Sequence, residues 1–265
     1  MAVLDEIREW WDDDAATYDN APGHRPRTAA EWAAWAAALA RLLPARPARV
    51  LDCGAGTGFL SLIAARLGYQ VTAIDLSAEM LDRLRAAAAT AGLVIETVQG
   101  PADHIPAGHF DAVMERHLVW TLPDPGAVLR VWRGAVGSNG RLVLVGGLWG
   151  SVDPVERWRA QLREWCRRWQ GRPANHHGEY PTEVRAVLPL AGGTHPSVLA
   201  ELVETAGWRA PRLERLRDVE WATTLALSPL ERVLGVSPRF AIVADAGLEN
   251  SIEQPGKPGV EVIPP

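Results

Sequence analysis

The sequence predicts an α/β fold with parallel strands, and the features that predict it lie in residues 49–75. A short apolar run ends on Asp52, and apolar residues then recur at three- and four-residue spacing over 59–67, which indicates a helix. A second β-rich run, 71–74, ends on Asp75. The turn between the first run and the helix holds glycines at alternate positions: Gly54, Gly56 and Gly58. This order of strand, glycine turn, helix and strand is typical of a parallel sheet.

The glycine turn and the acidic strand end together predict a nucleoside site. Glycine adopts backbone conformations denied to other residues and lets a ligand lie against bare main chain. Asp75, at the carboxyl end of its strand, is placed to accept hydrogen bonds from ribose hydroxyls. The dinucleotide fingerprint needs a third glycine where this chain has Phe59, and the Gly-Lys-Ser/Thr ending of a phosphate-binding loop is missing. The pattern therefore indicates a nucleoside without provision for a pyrophosphate.

Composition argues against several classes of protein. A chain of 265 residues, 48% hydrophobic, can bury one core with a small inserted segment. The net charge of −5 argues against a nucleic-acid-binding surface. No apolar stretch is long enough to span a membrane, the acidic N-terminus does not resemble a signal peptide, and two cysteines make no disulfide framework. We therefore expect a cytoplasmic protein that binds neither nucleic acid nor membrane.

The glycine turn at 52–58, followed by Asp75-Leu76-Ser77 and Met80-Leu81, resembles class I S-adenosylmethionine-dependent methyltransferases. Within that class the chain is similar to the small-molecule branch that includes the ubiquinone- and menaquinone-biosynthesis methyltransferases. The likeness covers residues 10–145 well and the remainder in outline. It implies a Rossmann-like sheet of about seven mostly parallel strands, with helices on both faces, an antiparallel last strand and an inserted helical lid.

The resemblance also implies which residues hold the cofactor, S-adenosyl-L-methionine. The pattern W-D-x-x-A-x-x-Y-D at 11–19 would fold over the cofactor and place Tyr18 near its sulfonium. Pro101 stands where the family usually has an aspartate that meets the adenine, so we expect Ala102 and Asp103 beside the base. The expected cofactor-binding residues are Tyr18, Asp52, Cys53, Gly54, Ala55, Gly56, Gly58, Asp75, Leu76, Met80, Pro101, Ala102, Asp103, Arg116 and His117.

Three residues form the predicted catalytic set: His117, Arg116 and Tyr18. In the family, the residues after the fourth strand (110–114 here) face both donor and acceptor. His117 beside a cationic sulfonium would stay neutral and could accept a proton, or could only pack under the adenosine. Arg116 would hold a carboxylate or phenolate of the substrate, or brace a neighbouring acid. Further candidate bases are His24, Glu115, His176 and His177.

Residues 148–192 are expected to form an inserted lid or substrate segment. An apolar stripe recurs there at helical spacing, surrounded by arginines: Trp158, Leu162, Trp165 and Trp169. A helix on a membrane surface has this composition, but a lid docked over the active site explains the short stripe better. The adjacent His176 and His177 have no third ligand beside them, so no metal site is expected.

Five parts are expected along the chain: a helical cap over the cofactor (1–43), a cofactor-binding core (44–147), the insertion (148–192), the C-terminal part of the core (193–247) and a flexible tail (248–265). In the later parts we predict a tight turn at 137–141, a helix capped by Ser197, and strands at 213–219 and 240–244.

The predicted function is methyl transfer to an oxygen, nitrogen or carbon atom of a small molecule, in bacterial secondary or quinone-like metabolism, by a monomer or homodimer. Two alternatives remain: a methyltransferase for peptide or protein side chains, and a non-catalytic S-adenosylmethionine-binding module. The intact glycine turn and Asp75 favour a working enzyme.

Overall fold

The computed structural model describes residues 2–147, 154–169, 180–193 and 195–247. The expected tail at 248–265 and the loop with His176 and His177 lie outside these residues. Within the described part, no helix is long and apolar enough to cross a membrane.

Seven strands form a single sheet in the order β3-β2-β1-β4-β5-β7-β6. Strand β7 runs antiparallel to both of its neighbours, and the other pairs are parallel. The strands are β1 (Arg49–Cys53), β2 (Gln70–Asp75), β3 (Glu96–Gln99), β4 (Phe110–Arg116), β5 (Val136–Gly147), β6 (Arg209–Arg215) and β7 (Arg239–Asp245). This confirms the predicted mostly parallel sheet with an antiparallel last strand.

Ten α-helices lie in the described residues, and they cover both faces of the sheet. They are α1 (Ala2–Asp14), α2 (Ala29–Leu42), α3 (Phe59–Arg66), α4 (Ala78–Thr90), α5 (Pro125–Ala135), α6 (Pro154–Trp169), α7 (Thr182–Val187), α8 (Pro196–Thr205), α9 (Arg217–Leu225) and α10 (Pro229–Leu234). Helices α2, α3 and α9 share one apolar core with strand residues, and α4 continues that layer beside β2. Helices α5 and α8 bury the opposite face.

Local sequence signals explain where the helices around the site begin. Thr28 caps α2 through a reciprocal capping box with Glu31, which satisfies two backbone donors that the first turn leaves unpaired. Ser77 caps α4 by accepting a hydrogen bond from the Met80 N–H at 3.1 Å. These caps fix the entry of each helix next to the carboxyl ends of the strands.

The strand predicted at 213–219 is wrong. Strand β6 ends at Arg215, and α9 begins two residues later with Val219 buried in the core. Leu216 and Val219 are three residues apart, a spacing that fits one face of a helix, so the core selects the helix. Helices α9 and α10 were not predicted.

Three smaller expectations also differ from the structure. The apolar run at 94–98 predicts a strand, but β3 begins at Glu96, and Val94 is 93% exposed. His195 caps α8, because its Nδ1 accepts from the Ser197 N–H at 3.3 Å. Residues 137–141 belong to β5, and the register shift opposite Phe110 accommodates the extra residues in a bulge.

Candidate active site

A cavity of about 280 Å³ opens at the carboxyl ends of β1, β2 and β4. Of the fifteen residues expected to hold the cofactor, eleven line it: Tyr18, Gly54, Gly56, Asp75, Leu76, Met80, Pro101, Ala102, Asp103, Arg116 and His117. The lining also includes residues that sequence reasoning did not single out, on α1, on the 3₁₀ turn at 119–121 and at the start of α5. The parallel sheet therefore gathers residues from distant parts of the chain at one edge.

The first half of the glycine turn presents bare backbone to the cavity. Gly56 has a φ of +55°, and a Cβ added there would meet no protein atom within 4 Å. Its N–H donates to Oδ2 of Asp75 at 2.7 Å. The space beside Gly56 is thus open to a ligand, and the turn is held in place by the acid of the next strand.

The other glycine-turn residues lie behind the cavity wall. Gly58 has a φ of +93°, and a Cβ added to it would come within 2.7 Å of Cγ of Leu84, so this glycine allows α3 to pack against α4. Asp52 is buried and accepts a hydrogen bond from Oγ of Ser61 at 2.5 Å. Burial raises its pKa to about 7, although the Ser61 hydrogen bonds act in the opposite direction. Like Cys53 and Ala55, these residues do not line the cavity.

The carboxylate of Asp75 is fixed by two backbone donors. Oδ1 accepts from the Ser77 N–H at 2.9 Å, and Oδ2 accepts from the Gly56 N–H at 2.7 Å. Burial raises the pKa of Asp75 to about 6, against the effect of these hydrogen bonds. Each oxygen keeps a second lone pair, so the group can still accept hydrogen bonds from vicinal hydroxyls in the cavity.

The N-terminal segment is hydrogen-bonded across the cavity. Oγ of Ser77 donates to Asp12 at 2.5 Å, and Oγ1 of Thr57 donates to Asp19 at 2.6 Å. Tyr18, between the two acids in sequence, lines the cavity. Burial raises the pKa of Tyr18, so its hydroxyl stays protonated at neutral pH. The segment is therefore attached to both the glycine turn and the start of α4.

The loop after β3 is anchored by a buried tryptophan. Nε1 of Trp132, which is completely buried on α5, donates to the carbonyl of Ala102 at 2.7 Å. The Gly100 N–H donates to the carbonyl of Asp75 at 2.9 Å, and the His104 N–H closes a turn onto Pro101. The sequence carries no signal for the contact between Trp132 and Ala102, because the two residues are 30 positions apart. The anchor holds Ala102 and Asp103 at the cavity wall.

Replacing Trp132 with phenylalanine is expected to destabilise the fold by about 1–3 kcal/mol, because the carbonyl of Ala102 loses its buried donor. Chemical denaturation measures this loss. Trp208→Phe is a matched control, since Trp208 is equally buried but its Nε1 donates to the carbonyl of Leu129 on α5 and not to the loop after β3. Both variants lose stability, but only Trp132→Phe should also alter ligand binding in the cavity. Equal binding by the two variants would contradict a role for this anchor.

His117 ends β4 in a strained conformation. Its φ is +62°, in the left-handed region, and its N–H donates to the carbonyl of Val145 at 3.2 Å. Burial and then the positive charges of Arg116, Arg239 and His24 lower its pKa well below the usual range. An imidazole with a lowered pKa favours the neutral form and is a weak base.

Arg116 turns away from the acid that precedes it. Its Nη2 donates to the carbonyl of Gly23 at 2.6 Å, and its Cζ stacks 4.0 Å from the centroid of the Phe59 ring. Burial lowers its pKa to about 10, so the guanidinium remains charged. Glu115 is buried and accepts from the Leu118 N–H at 2.6 Å. Arg116 therefore does not pair with Glu115, although it is one of the residues that line the cavity.

A protein-family model for a methyltransferase domain matches residues 51–144, the region from β1 to β5 that carries the glycine turn, Asp75 and the end of β4. This match agrees with the geometry of the site. Residues 51–144 are therefore similar to a methyltransferase domain.

Curated relatives of this chain include the ubiquinone biosynthesis O-methyltransferase of Xanthomonas axonopodis pv. citri (strain 306). It is 43% identical over 108 residues, which are 40% of this chain and 45% of that protein. The ubiquinone biosynthesis O-methyltransferase of Xanthomonas euvesicatoria is 39% identical over 101 residues, 37% of this chain and 42% of that protein. The chain therefore spans less than half the length of these relatives.

Solved structures share the fold at low identity. Phosphoethanolamine N-methyltransferase 2 of Haemonchus contortus, in complex with S-adenosyl-L-methionine, superposes with a TM-score of 0.61 at 15% identity, over 91% of this chain and 60% of that one. The 1,6-didemethyltoxoflavin-N1-methyltransferase of Burkholderia thailandensis gives a TM-score of 0.55 at 20% identity, over 92% of this chain and 88% of that one. These similarities support the methyltransferase fold.

Two described parts of the segment 148–192, Tyr180 and helix α6, pack on other elements of the chain. Tyr180 packs against Trp10 and Trp120, with ring centroids 4.8 and 5.5 Å away, and joins an apolar cluster with Ile7 on α1. Helix α6 instead packs on α10 and does not line the cavity. Its indoles remain exposed, at 59% for Trp158, 63% for Trp165 and 76% for Trp169. A lid role for residues 148–192 stays a prediction.

Gly56→Val is expected to weaken the binding of S-adenosylhomocysteine at least about 30-fold, because a branched side chain would project into the open space of the cavity. Isothermal titration calorimetry measures the change. Gly68→Val is a matched control, since Gly68 also has a positive φ (+91°) and open space around it but does not line the cavity. A similar loss of binding in both variants would attribute the effect to backbone strain.

Proposed function

We propose that this chain transfers a methyl group from S-adenosyl-L-methionine to an oxygen, nitrogen or carbon atom of a small-molecule acceptor. The observation that carries this proposal is the Asp75 carboxylate, which two backbone N–H groups fix in the cavity beside the bare backbone of Gly56. Such an arrangement suits a ribose whose base and amino-acid ends extend in opposite directions along the strand ends.

The residues present fit the methyl donor. Asp75 would bind the ribose hydroxyls, and Ala102 and Asp103 would lie against the adenine. The backbone of Gly54 and Gly56 would hold the amino-acid part. When bound, S-adenosylmethionine supplies an electrophilic methyl group on a sulfonium.

Catalysis by the chain's own residues rests mainly on alignment. Holding the nucleophile in line with the methyl group at short distance lowers the activation free energy relative to the reaction in solution. The reduction is on the order of 7–11 kcal/mol for ideal alignment. Tyr18, Leu118 and Trp11 line the cavity, and their apolar surfaces would limit the water around a bound donor. The neutral imidazole of His117 can accept a hydrogen bond from an acceptor hydroxyl, but its lowered pKa makes it a poor store for a proton at pH 7.

The test is calorimetric titration with S-adenosylmethionine and S-adenosylhomocysteine, followed by a screen for methyl transfer to phenols and amine heterocycles. We expect micromolar binding of both compounds and turnover with a small molecule. Transfer to peptides alone would favour the side-chain methyltransferase. Tight binding without turnover on any acceptor would favour the non-catalytic module, and absence of binding would refute the proposal.

We also propose that the acceptor belongs to quinone-like or secondary metabolism and that the protein acts in the cytoplasm as a monomer or homodimer. The Xanthomonas relatives are named as ubiquinone biosynthesis O-methyltransferases, and they match this chain in the region around the donor site. Their names support an acceptor from quinone-like metabolism. Two free, buried cysteines, Cys53 and Cys166, agree with a reducing compartment. We propose the same five parts of the chain as the sequence predicts: the cap (1–43), the cofactor-binding core (44–147), the insertion (148–192), the C-terminal part of the core (193–247) and the tail (248–265).

A further inference from the structure

Two guanidinium groups from different strands lie near Gly23, and one of them, that of Arg116, belongs to a residue that lines the cavity. Arg116, at the end of β4, donates from Nη2 to the carbonyl of Gly23 at 2.6 Å. A Cβ added to Gly23 would lie 3.0 Å from Nη2 of Arg239, at the start of β7. The Cζ atoms of both arginines are 5.8 Å from the centroid of the Trp35 ring. The antiparallel β7 thus brings a second cation to the end of β4.

This pair lies next to His117. Arg239 pairs with Gly147 across β5 and β7, and a Cβ added to Gly147 would come 3.8 Å from Cε1 of His117. The charges of both arginines depress the pKa of His117. Arg116 and His117 line the cavity at the ends of the strands, whereas the Ala102 loop forms a separate part of its wall.

No acid of the described residues forms an ion pair with either guanidinium. The Nε of Arg116 is buried and has no hydrogen-bond acceptor. Glu31 and Glu220 attract Arg239 electrostatically, but Glu31 caps α2 and Glu220 pairs with Arg215 at 3.0 Å. Both side chains are only partly exposed, and a charge that is partly removed from water is stabilised by a nearby anion. The pair therefore offers a suitable place for an anion.

We propose that Arg116 and Arg239 form a subsite for a carboxylate of the methyl acceptor, so that the substrate is an organic acid. This rests on the proposed methyltransferase function. A planar carboxylate matches the donor geometry of guanidinium groups and can accept from two of them at once. The donor molecule also carries a carboxylate, but the backbone N–H groups at the glycine turn and the start of α3 suit that group.

The experiment titrates the full chain, saturated with S-adenosylhomocysteine, with benzoate and with benzamide, its neutral analogue of the same shape. Ligand-detected NMR measures both affinities. We expect benzoate to bind at least about tenfold more tightly than benzamide, as a charge-assisted hydrogen bond predicts. Arg239→Gln should remove this preference and leave the affinity for S-adenosylhomocysteine within about twofold. Arg83→Gln, on the exposed face of α4, should change neither.

Each outcome decides the proposal. Equal affinities for benzoate and benzamide, or no binding of benzoate, would refute the subsite in the wild-type protein and so would not depend on whether a variant folds. If Arg239→Gln instead weakened the binding of S-adenosylhomocysteine, the arginine would bind the donor's own carboxylate. That result would refute the subsite and leave the proposed function intact. Absence of S-adenosylhomocysteine binding in the wild-type protein would remove the proposed function itself.

Discussion

Asp75→Ala is expected to weaken S-adenosylhomocysteine binding at least about 100-fold. A carboxylate that binds two ribose hydroxyls contributes on the order of 1.5–3 kcal/mol for each hydrogen bond, and both are lost. The Gly56 and Ser77 N–H groups also lose their acceptor, so the glycine turn loses the group that fixes it. Titration calorimetry at pH 7.5 measures the effect.

Two controls separate the ribose contact from a general loss of structure. Asp82→Ala removes an exposed acid from α4 and should leave binding unchanged. In the wild-type protein, protonation of Asp75 should weaken binding as the pH falls through about 6, and Asp75→Asn should remove that pH dependence. A dissociation constant for Asp75→Ala within about threefold of the wild type would show that the ribose lies elsewhere.

Glu115→Gln is expected to gain stability relative to the wild type as the pH rises from 5 to 8. Burial raises the pKa of Glu115 to about 8 in the folded protein, whereas the unfolded chain ionises near 4.5. Between these values the folded state binds more protons, so ionisation at higher pH opposes folding. The difference between variant and wild type should change by on the order of 3 kcal/mol across this interval.

Denaturant unfolding of both proteins at pH 5 and pH 8 measures this change. Comparing the variant with the wild type at each pH cancels the titration of other groups, such as His117, whose pKa is shifted in the opposite direction. The glutamine oxygen can still accept from the Leu118 N–H. Asp82→Asn, on the surface, should show no such pH dependence. If Glu115→Gln kept the same pH dependence as the wild type, Glu115 would be ionised in the folded protein.

The central sheet could be predicted from sequence because its strands carry continuous apolar runs between glycine and acidic turns. Helix α9 could not, since Leu216 and Val219 satisfy more than one periodicity and only packing on α2 decides between them. Helix α10 did have a sequence signal, because Ser228 and Glu231 form a capping box with Pro229 at the first helical position. Eleven cofactor-site expectations fall on the cavity because they cluster at strand ends. The contacts of Trp132 and Arg239 could not be predicted because the groups they approach, the Ala102 carbonyl and the surroundings of Arg116, are far away along the chain.

The position of β6 at one end of the strand order bears on how copies of this chain can associate. An outermost strand offers unpaired backbone groups on which another strand can align. Here Pro211 has no N–H to offer, and long cationic side chains stand at Arg209, Arg212 and Arg215. If two such strands paired, their arginines would repel each other, and the hydrogen bond that an N–H at position 211 would donate would be missing. A symmetric assembly would therefore not extend the sheet through β6 into a neighbouring molecule.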